Sequence, residues 1–180
     1  MPAPDDVTAA VVGDLVLEIR RVGYGQADAL RLIEEVQQEY VARYGGRDET
    51  PLEHAMFDPP TGSFFVAYLA GEPVASGAWR RHPVPAHGVT NSAEIKRMYV
   101  APAARGRGVA RRMLAHLEAT AAAAGAEAMV LETGTEQPEA IALYVSAGYS
   151  PIPGFGYHRD APESRCFGKL LPAPERASAG

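Results

Sequence analysis

Residues 94 to 110 read Glu-Ile-Lys-Arg-Met-Tyr-Val-Ala-Pro-Ala-Ala-Arg-Gly-Arg-Gly-Val-Ala. No other stretch constrains the fold as much. An apolar-rich strand pattern ends at Val100, Pro102 stops it, and a helical pattern begins within Arg105 to Ala110. A strand that feeds a glycine-containing loop at a helix start is suited to holding a diphosphate. Gly106 and Gly108 let backbone approach an anion closely. The first amides of a helix have no partner inside it, and the helix dipole adds partial positive charge at the same spot.

The flanks turn this loop into a βαβ unit. Ala93 to Val100 is predicted as a strand, Gly108 to Ala124 as a helix and Ala128 to Glu132 as the next strand. Val109, Met113, Leu117 and Ala121 recur every four residues along the helix, and Gly125 suits its end. The two strands are therefore expected to be parallel, with a right-handed crossover. Upstream, Leu15 to Val22 reads as a strand and Gln26 to Tyr44 as a helix ended by Gly45 and Gly46. Asp48 to Gly62 reads as a loop with one short helical piece. Ser63 to Leu69 and Pro73 to Arg81 read as a hairpin. Downstream, Pro138 to Ala147 reads as a helix and Arg165 to Leu171 as a last strand. Residues 1–6 and 172–180 read as disordered tails of a single domain spanning 1–180.

Composition narrows the partners. The chain has 180 residues, a formal net charge of −5, one cysteine and no apolar run long enough for a bilayer. An acidic chain argues against nucleic acid as its main partner. Eight acids and three bases fall between Gln26 and Pro60, so that segment carries the whole imbalance. It is read as a solvated helix face, with attraction for a cationic partner as the alternative. The absence of a secretory-type start and of paired cysteines is read as cytoplasmic. Gly108 is not followed by Lys and Ser or Thr, so a Walker-type nucleotide loop is absent.

The segment Arg105-Gly-Arg-Gly-Val-Ala110 resembles the loop signature of the GNAT superfamily of N-acetyltransferases: Gln or Arg, two residues, Gly, one residue, then Gly or Ala. Leu131-Glu132, and then Ala140 to Tyr144 leading into Gly148-Tyr149, resemble the family's second motif, a helix tyrosine followed by Gly and an aromatic. The resemblance is specific over residues 93 to 150 and weaker over 15 to 81. It implies an α+β fold, an α/β/α sandwich around a mixed, mostly antiparallel sheet of six to seven strands. A central parallel pair would be splayed, with helices on both faces. It implies acetyl-CoA as cosubstrate and no metal. Backbone at Met98, Tyr99 and Val100 would bind the pantetheine arm, and the segment Arg105, Gly106, Arg107, Gly108, Val109, Ala110 and Arg111 the pyrophosphate. Gln137 stands where relatives often place an Asn that touches the cofactor.

Acetyl transfer to an amine requires a base for the amine proton, an oxyanion donor and an acid for the departing thiolate. Tyr144 is the candidate acid. The amide of Met98 or Val100 is the candidate oxyanion donor. Glu94 is the first candidate for the base and Glu132 the second, with a water chain as the third route. Cys166 is read as a small core residue rather than a nucleophile. His82 and His87 share a loop but lack further ligand signals. Trp79, Phe155, Tyr157 and Tyr24 are candidates for an acceptor pocket or for core packing. The function expected is acetyl transfer from acetyl-CoA to a primary amine, on a small molecule or a basic peptide, in a ternary complex. The competing class is a non-catalytic acyl-CoA-binding module. Exposed strand edges and the acidic helix leave a homodimer open.

Overall fold

A computed structural model describes residues 7–173; of the tails expected at 1–6 and 172–180, residues 1–6 and 174–180 lie outside the described residues. Eight strands form one sheet in the order β1-β2-β3-β4-β5-β6-β8-β7. They are β1 (Val7–Val12), β2 (Leu15–Val22), β3 (Gly62–Leu69), β4 (Glu72–Arg81), β5 (Ser92–Val100), β6 (Ala128–Gly134), β7 (Ser150–Pro151) and β8 (Ser164–Leu170). Three α-helices accompany them: α1 (Ala27–Tyr44), α2 (Val109–Ala123) and α3 (Pro138–Ser146). All strand pairs are antiparallel except β5 with β6.

The sheet is larger than the six to seven strands expected. β7 is only two residues long, and β1 is an edge strand whose side chains are mostly exposed. With one face in water and valines on both faces, β1 carries no in-out alternation for a sequence pattern to detect. It joins β2 through a tight turn at Gly13 and Asp14, placing Val12 opposite Leu15.

Period-two alternation on β3 divides the core. Every residue of β3 is buried, so both of its faces are covered. Phe64, Val66 and Tyr68 pack with Ala29, Leu32, Ile33 and Val36 of α1. Phe65, Ala67 and Leu69 pack on the opposite face with Met113, Leu114 and Leu117 of α2 and Tyr144 of α3. Met113 and Leu117 are fully buried. Each such side chain contributes about 1.5–3 kcal/mol relative to exposure. A third cluster, Val84, Ala86, Ala128 and Val130, lies beneath the 82–91 loop with Phe155 packed against it.

Local sequence sets the helix ends. The side chain of Gln26 accepts from the amide of Ala29 at 3.0 Å and caps α1. Gly45 closes the helix at φ +80°, its amide donating to Val41 O at 2.9 Å. The loop that follows is held to α1 by Gln37. Its amide nitrogen donates to Asp48 O at 3.1 Å, and its oxygen accepts from Asp48 N at 2.8 Å.

Candidate active site

β5 and β6 pair for only three residues, Ser92 with Ala128, Ala93 with Met129 and Glu94 with Val130. Beyond Glu94 the strands part, while each keeps its outer neighbour. The cause is visible on β5. Register with β4 shifts between Ser76 and Ala78, and Arg97 takes φ +55° at that bulge. The hydroxyl of Ser76 donates to the carbonyl of Arg97 at 2.7 Å and fixes the bulge. Opposite it Gly77 packs so closely on α2 that an added Cβ would meet Met113 Cγ at 2.9 Å. After the bulge, the amide of Ala101 donates to Val74 O on β4 at 2.7 Å. By strand alternation, the N–H groups of Val100 and Met98 point the other way, into the opened seam.

The glycine loop meets the seam at its upper end. Gly106 and Gly108 both adopt φ +76°, which a side chain would strain. Among the described residues none accepts a hydrogen bond from the amides of Gly106 to Arg111; the first helical bond runs from Arg112 N to Gly108 O at 3.1 Å. These free donors at a 15-residue helix start, next to a split between strands, fit the diphosphate and thiol arm of coenzyme A.

The side chains of the same segment do several jobs. Arg105 donates to the carbonyl of Val100 at 2.9 Å and pairs with Glu39. Arg111 donates to Ser146 Oγ at 2.8 Å and ties α2 to the end of α3. Arg107 is exposed beside the turn between β1 and β2. Val109 is buried in the α2 core. The Tyr99 ring lies on the α1 face, its hydroxyl 3.0 Å from Glu35 Oε2, so the seam receives none of its side chain.

A cavity of about 320 Å³ occupies the seam. Tyr144, 7% exposed, reaches it from the α2 side of the sheet, and its hydroxyl donates to Met98 Sδ at 3.7 Å. Burial holds this phenol well above its ordinary pKa, so it is protonated at neutral pH. Glu132 lies on the opposite face, since its neighbour Leu131 packs into the α2-side core. Burial raises the Glu132 carboxyl above the usual carboxylate range, against the lowering effect of Lys96 and His158. Gln137 stands at the start of α3, lines the cavity and accepts from the Tyr44 hydroxyl at 3.1 Å. Tyr44 in turn lies so close over Gly134 that a Cβ there would be 2.0 Å from its hydroxyl.

Glu94 does not line this cavity. It is 3% exposed and accepts from Arg80 Nε at 2.9 Å, with His82 Nδ1 at 3.4 Å. Burial pushes its carboxyl up, but His82, Lys96 and Arg80 outweigh that and hold it below the ordinary value. A carboxylate so held is a weak proton acceptor.

Several residues of the cavity wall carry no sequence motif. Asp48 is the hub. Its Oδ2 accepts from Arg97 Nη1 at 2.8 Å; its Oδ1 meets Thr50 N at 3.0 Å, Thr50 Oγ1 at 2.6 Å and His158 Nε2 at 3.1 Å. Lys96 Nζ stands 4.0 Å from the same carboxylate. Lys96 was detectable in principle, two positions beyond Glu94 on the same strand face. Asp48 and His158 come from loops far apart in sequence, and only the fold unites them.

The other candidates are structural. Trp79 is buried and donates to Thr120 Oγ1 at 3.0 Å. Tyr24 packs on Phe57 and Phe64, and Phe155 on the third cluster. Tyr157 is 58% exposed and outside the cavity wall. Cys166 is buried opposite Glu132 on β8, and burial raises its thiol pKa. His87 bonds Gly168 O and Ser150 Oγ, away from His82. Among the described residues no helix is long and apolar enough to cross a membrane.

A sheet with one split parallel pair, an open helix start at the split and a cavity of mixed lining between the strands fits an acyltransferase. The chain belongs to the Acetyltransferase (GNAT) family, whose sequence model matches residues 30–149. It is 34% identical over 146 residues to the IAA acetyltransferase of Azospirillum brasilense, covering 81% of this chain and 92% of that one. A structure from Klebsiella pneumoniae subsp. pneumoniae MGH 78578, assigned as an acyl-CoA N-acyltransferase, is 29% identical with a TM-score of 0.65, covering 85% of this chain and 96% of the other. The GNAT domain of S. lividans PAT shares the fold with a TM-score of 0.72 at 20% identity, covering 95% of this chain and 100% of the other. Members of the family generally use acetyl-CoA and act on amines.

Proposed function

We propose that the protein moves an acetyl group from acetyl-CoA to the primary amine of a small molecule, directly, in a ternary complex. The observation that carries this reading is the seam itself. Pairing of β5 with β6 stops at Glu94 and Val130, and Tyr144 and Glu132 line one cavity from opposite faces of the sheet. Acetyl-CoA supplies the thioester whose acyl carbon is attacked. Free amides from Gly106 to Arg111 hold its diphosphate, and the seam-facing backbone of Met98 and Val100 holds its pantetheine arm.

Glu132 takes the amine proton, since its raised pKa makes it a better acceptor at neutral pH than an ordinary carboxylate. The amine nitrogen then bonds to the acyl carbon. The amide of Met98 or Val100 donates to the carbonyl oxygen as it gains charge. The carbon–sulfur bond breaks, Tyr144 gives its proton to the sulfur, and the second proton shed by the new amide nitrogen returns through water to the Tyr144 oxygen, while Glu132 releases the first to solvent.

The acids of residues 26–60 largely form local pairs, Glu34 with Arg47, Glu39 with Arg105, Asp48 with Arg97 and Asp28 with the Tyr68 hydroxyl. Arg97 and Arg105, which lie outside the segment, cancel two of its five net negative charges, which weakens its attraction for a basic peptide. Free-thiol release from acetyl-CoA across a panel of amines tests the proposal. Turnover with at least one amine is expected; tight coenzyme A binding without turnover on any of them would instead support a sensor.

A further inference from the structure

We propose that the acceptor carries a carboxylate as well as its amine, as amino acids do, and that Lys96 receives that carboxylate. The inference rests on the transferase reading above and names the substrate class of the same cavity.

The charges of the wall lead to it. Arg97 is bonded to Asp48, and Arg47 to Glu34 through both of its terminal nitrogens. Asp48 is saturated as well, since Arg97, Thr50 and His158 already occupy its two oxygens. Glu163 stands at the exposed rim. Two charged side chains of the inner wall remain without a hydrogen bond among the described residues: the ammonium of Lys96 and the carboxylate of Glu132.

Lys96 is unusual in this respect. Its side chain is only 14% exposed, yet its nearest carboxylate is 4.0 Å away and fully engaged by others. A mostly buried ammonium with three unused donors calls for acceptors from a ligand or from water. Lys96 and Glu132 feel each other's charge, but they form no ion pair. An ammonium and a carboxylate, each without a hydrogen bond among the described residues, therefore line the same cavity, the ammonium paired with Asp48 only at 4.0 Å. A molecule with an ammonium at one end and a carboxylate nearby pairs with both, leaving neither site charge uncompensated. A simple amine would satisfy Glu132 alone. A basic peptide would bring further positive charge toward Lys96 and Arg97.

The cavity size agrees. Its volume of about 320 Å³ is at the low end of the roughly 300–1,000 Å³ of small-molecule sites. Part of that space must take the thiol arm, so the acceptor is small.

The experiment compares free amino acids with their carboxamides as acceptors, at saturating acetyl-CoA, by thiol release. The amide keeps the amine and side chain but removes the negative charge. For the best acceptor, kcat/KM of the free acid is expected to exceed that of the amide by about tenfold or more, expressed mainly in KM. In Lys96→Met the ratio is expected to fall toward one, and Lys96→Arg is expected to retain part of it. Amides used as well as acids by the wild-type protein would overturn the inference, as would a preference unchanged in Lys96→Met. If Lys96→Met does not fold, the wild-type comparison still decides. Turnover without carboxylate preference sinks this inference alone; no turnover with any amine sinks the transferase reading and this inference with it.

Discussion

The hydroxyl of Tyr144 donates to the thioether sulfur of Met98 at 3.7 Å, linking α3 to β5 across the opened seam. A thioether is a weak acceptor. The phenol proton is thus held at low cost, and in the proposed reaction it would be redirected to the departing thiolate. Tyr144→Phe removes the proton and keeps the ring that packs on Tyr149. The expected outcome is a fall in kcat of about 10²-fold or more, with coenzyme A affinity unchanged by calorimetry.

As the proposed base, Glu132 should set the acid limb of the pH profile. A base works only when deprotonated, and burial raises this carboxyl above its usual value. The kcat/KM profile should therefore fall with decreasing pH through an apparent pKa above the ordinary Glu value of about 4.3. Glu132→Gln should abolish that limb and lower kcat/KM by about 10²-fold or more. A wild-type limb that persists unchanged in the variant would assign the base elsewhere.

Asp48 should matter for stability as much as for the cavity. It is the counter-ion of Arg97, whose side chain is only 5% exposed. Asp48→Asn leaves that guanidinium uncompensated, at an expected cost of about 3–5 kcal/mol in urea unfolding. The Asp48 pKa is lowered in the folded protein, where Lys96, Thr50 and His158 overcome the opposing effect of burial. Its contribution is therefore complete above the unfolded value of about 3.9 and is lost as pH falls toward the folded one. The stability gap between wild type and variant should narrow only below about pH 4.

The glycine loop separates binding from folding. An added Cβ at Gly106 or Gly108 meets nothing within 4 Å, but both sit at φ +76°. Alanine at either position should cost about 1–2 kcal/mol of stability through backbone strain alone. Relief of that strain would turn the free amides. The KM for acetyl-CoA is expected to rise about tenfold, with kcat at saturation much less affected.

Most of the scaffold could be read from the sequence because its signals are local. Helical spacing in Val109 to Ala121, the stop at Pro102 and the glycines at 106 and 108 specify strand, loop and helix within one short segment. The positions of β2 to β6, α1 to α3 and β8 followed to within about two residues, as end fraying allows. Edge strand β1 escaped because exposed valines carry no alternation. The cavity could not be read in this way. Glu94 and Glu132 are equivalent strand-end acids in the chain; Arg80 and His82 neutralise the first, and burial without a close partner raises the second. Asp48, Lys96 and His158 converge only because the bulge at Arg97 opens the sheet there. Sequence alone determined the glycine loop and the order of the elements, which depend on neighbours in the chain. Tertiary structure decided which charges remain free, because a charge is cancelled by whatever folds against it, at any distance along the chain.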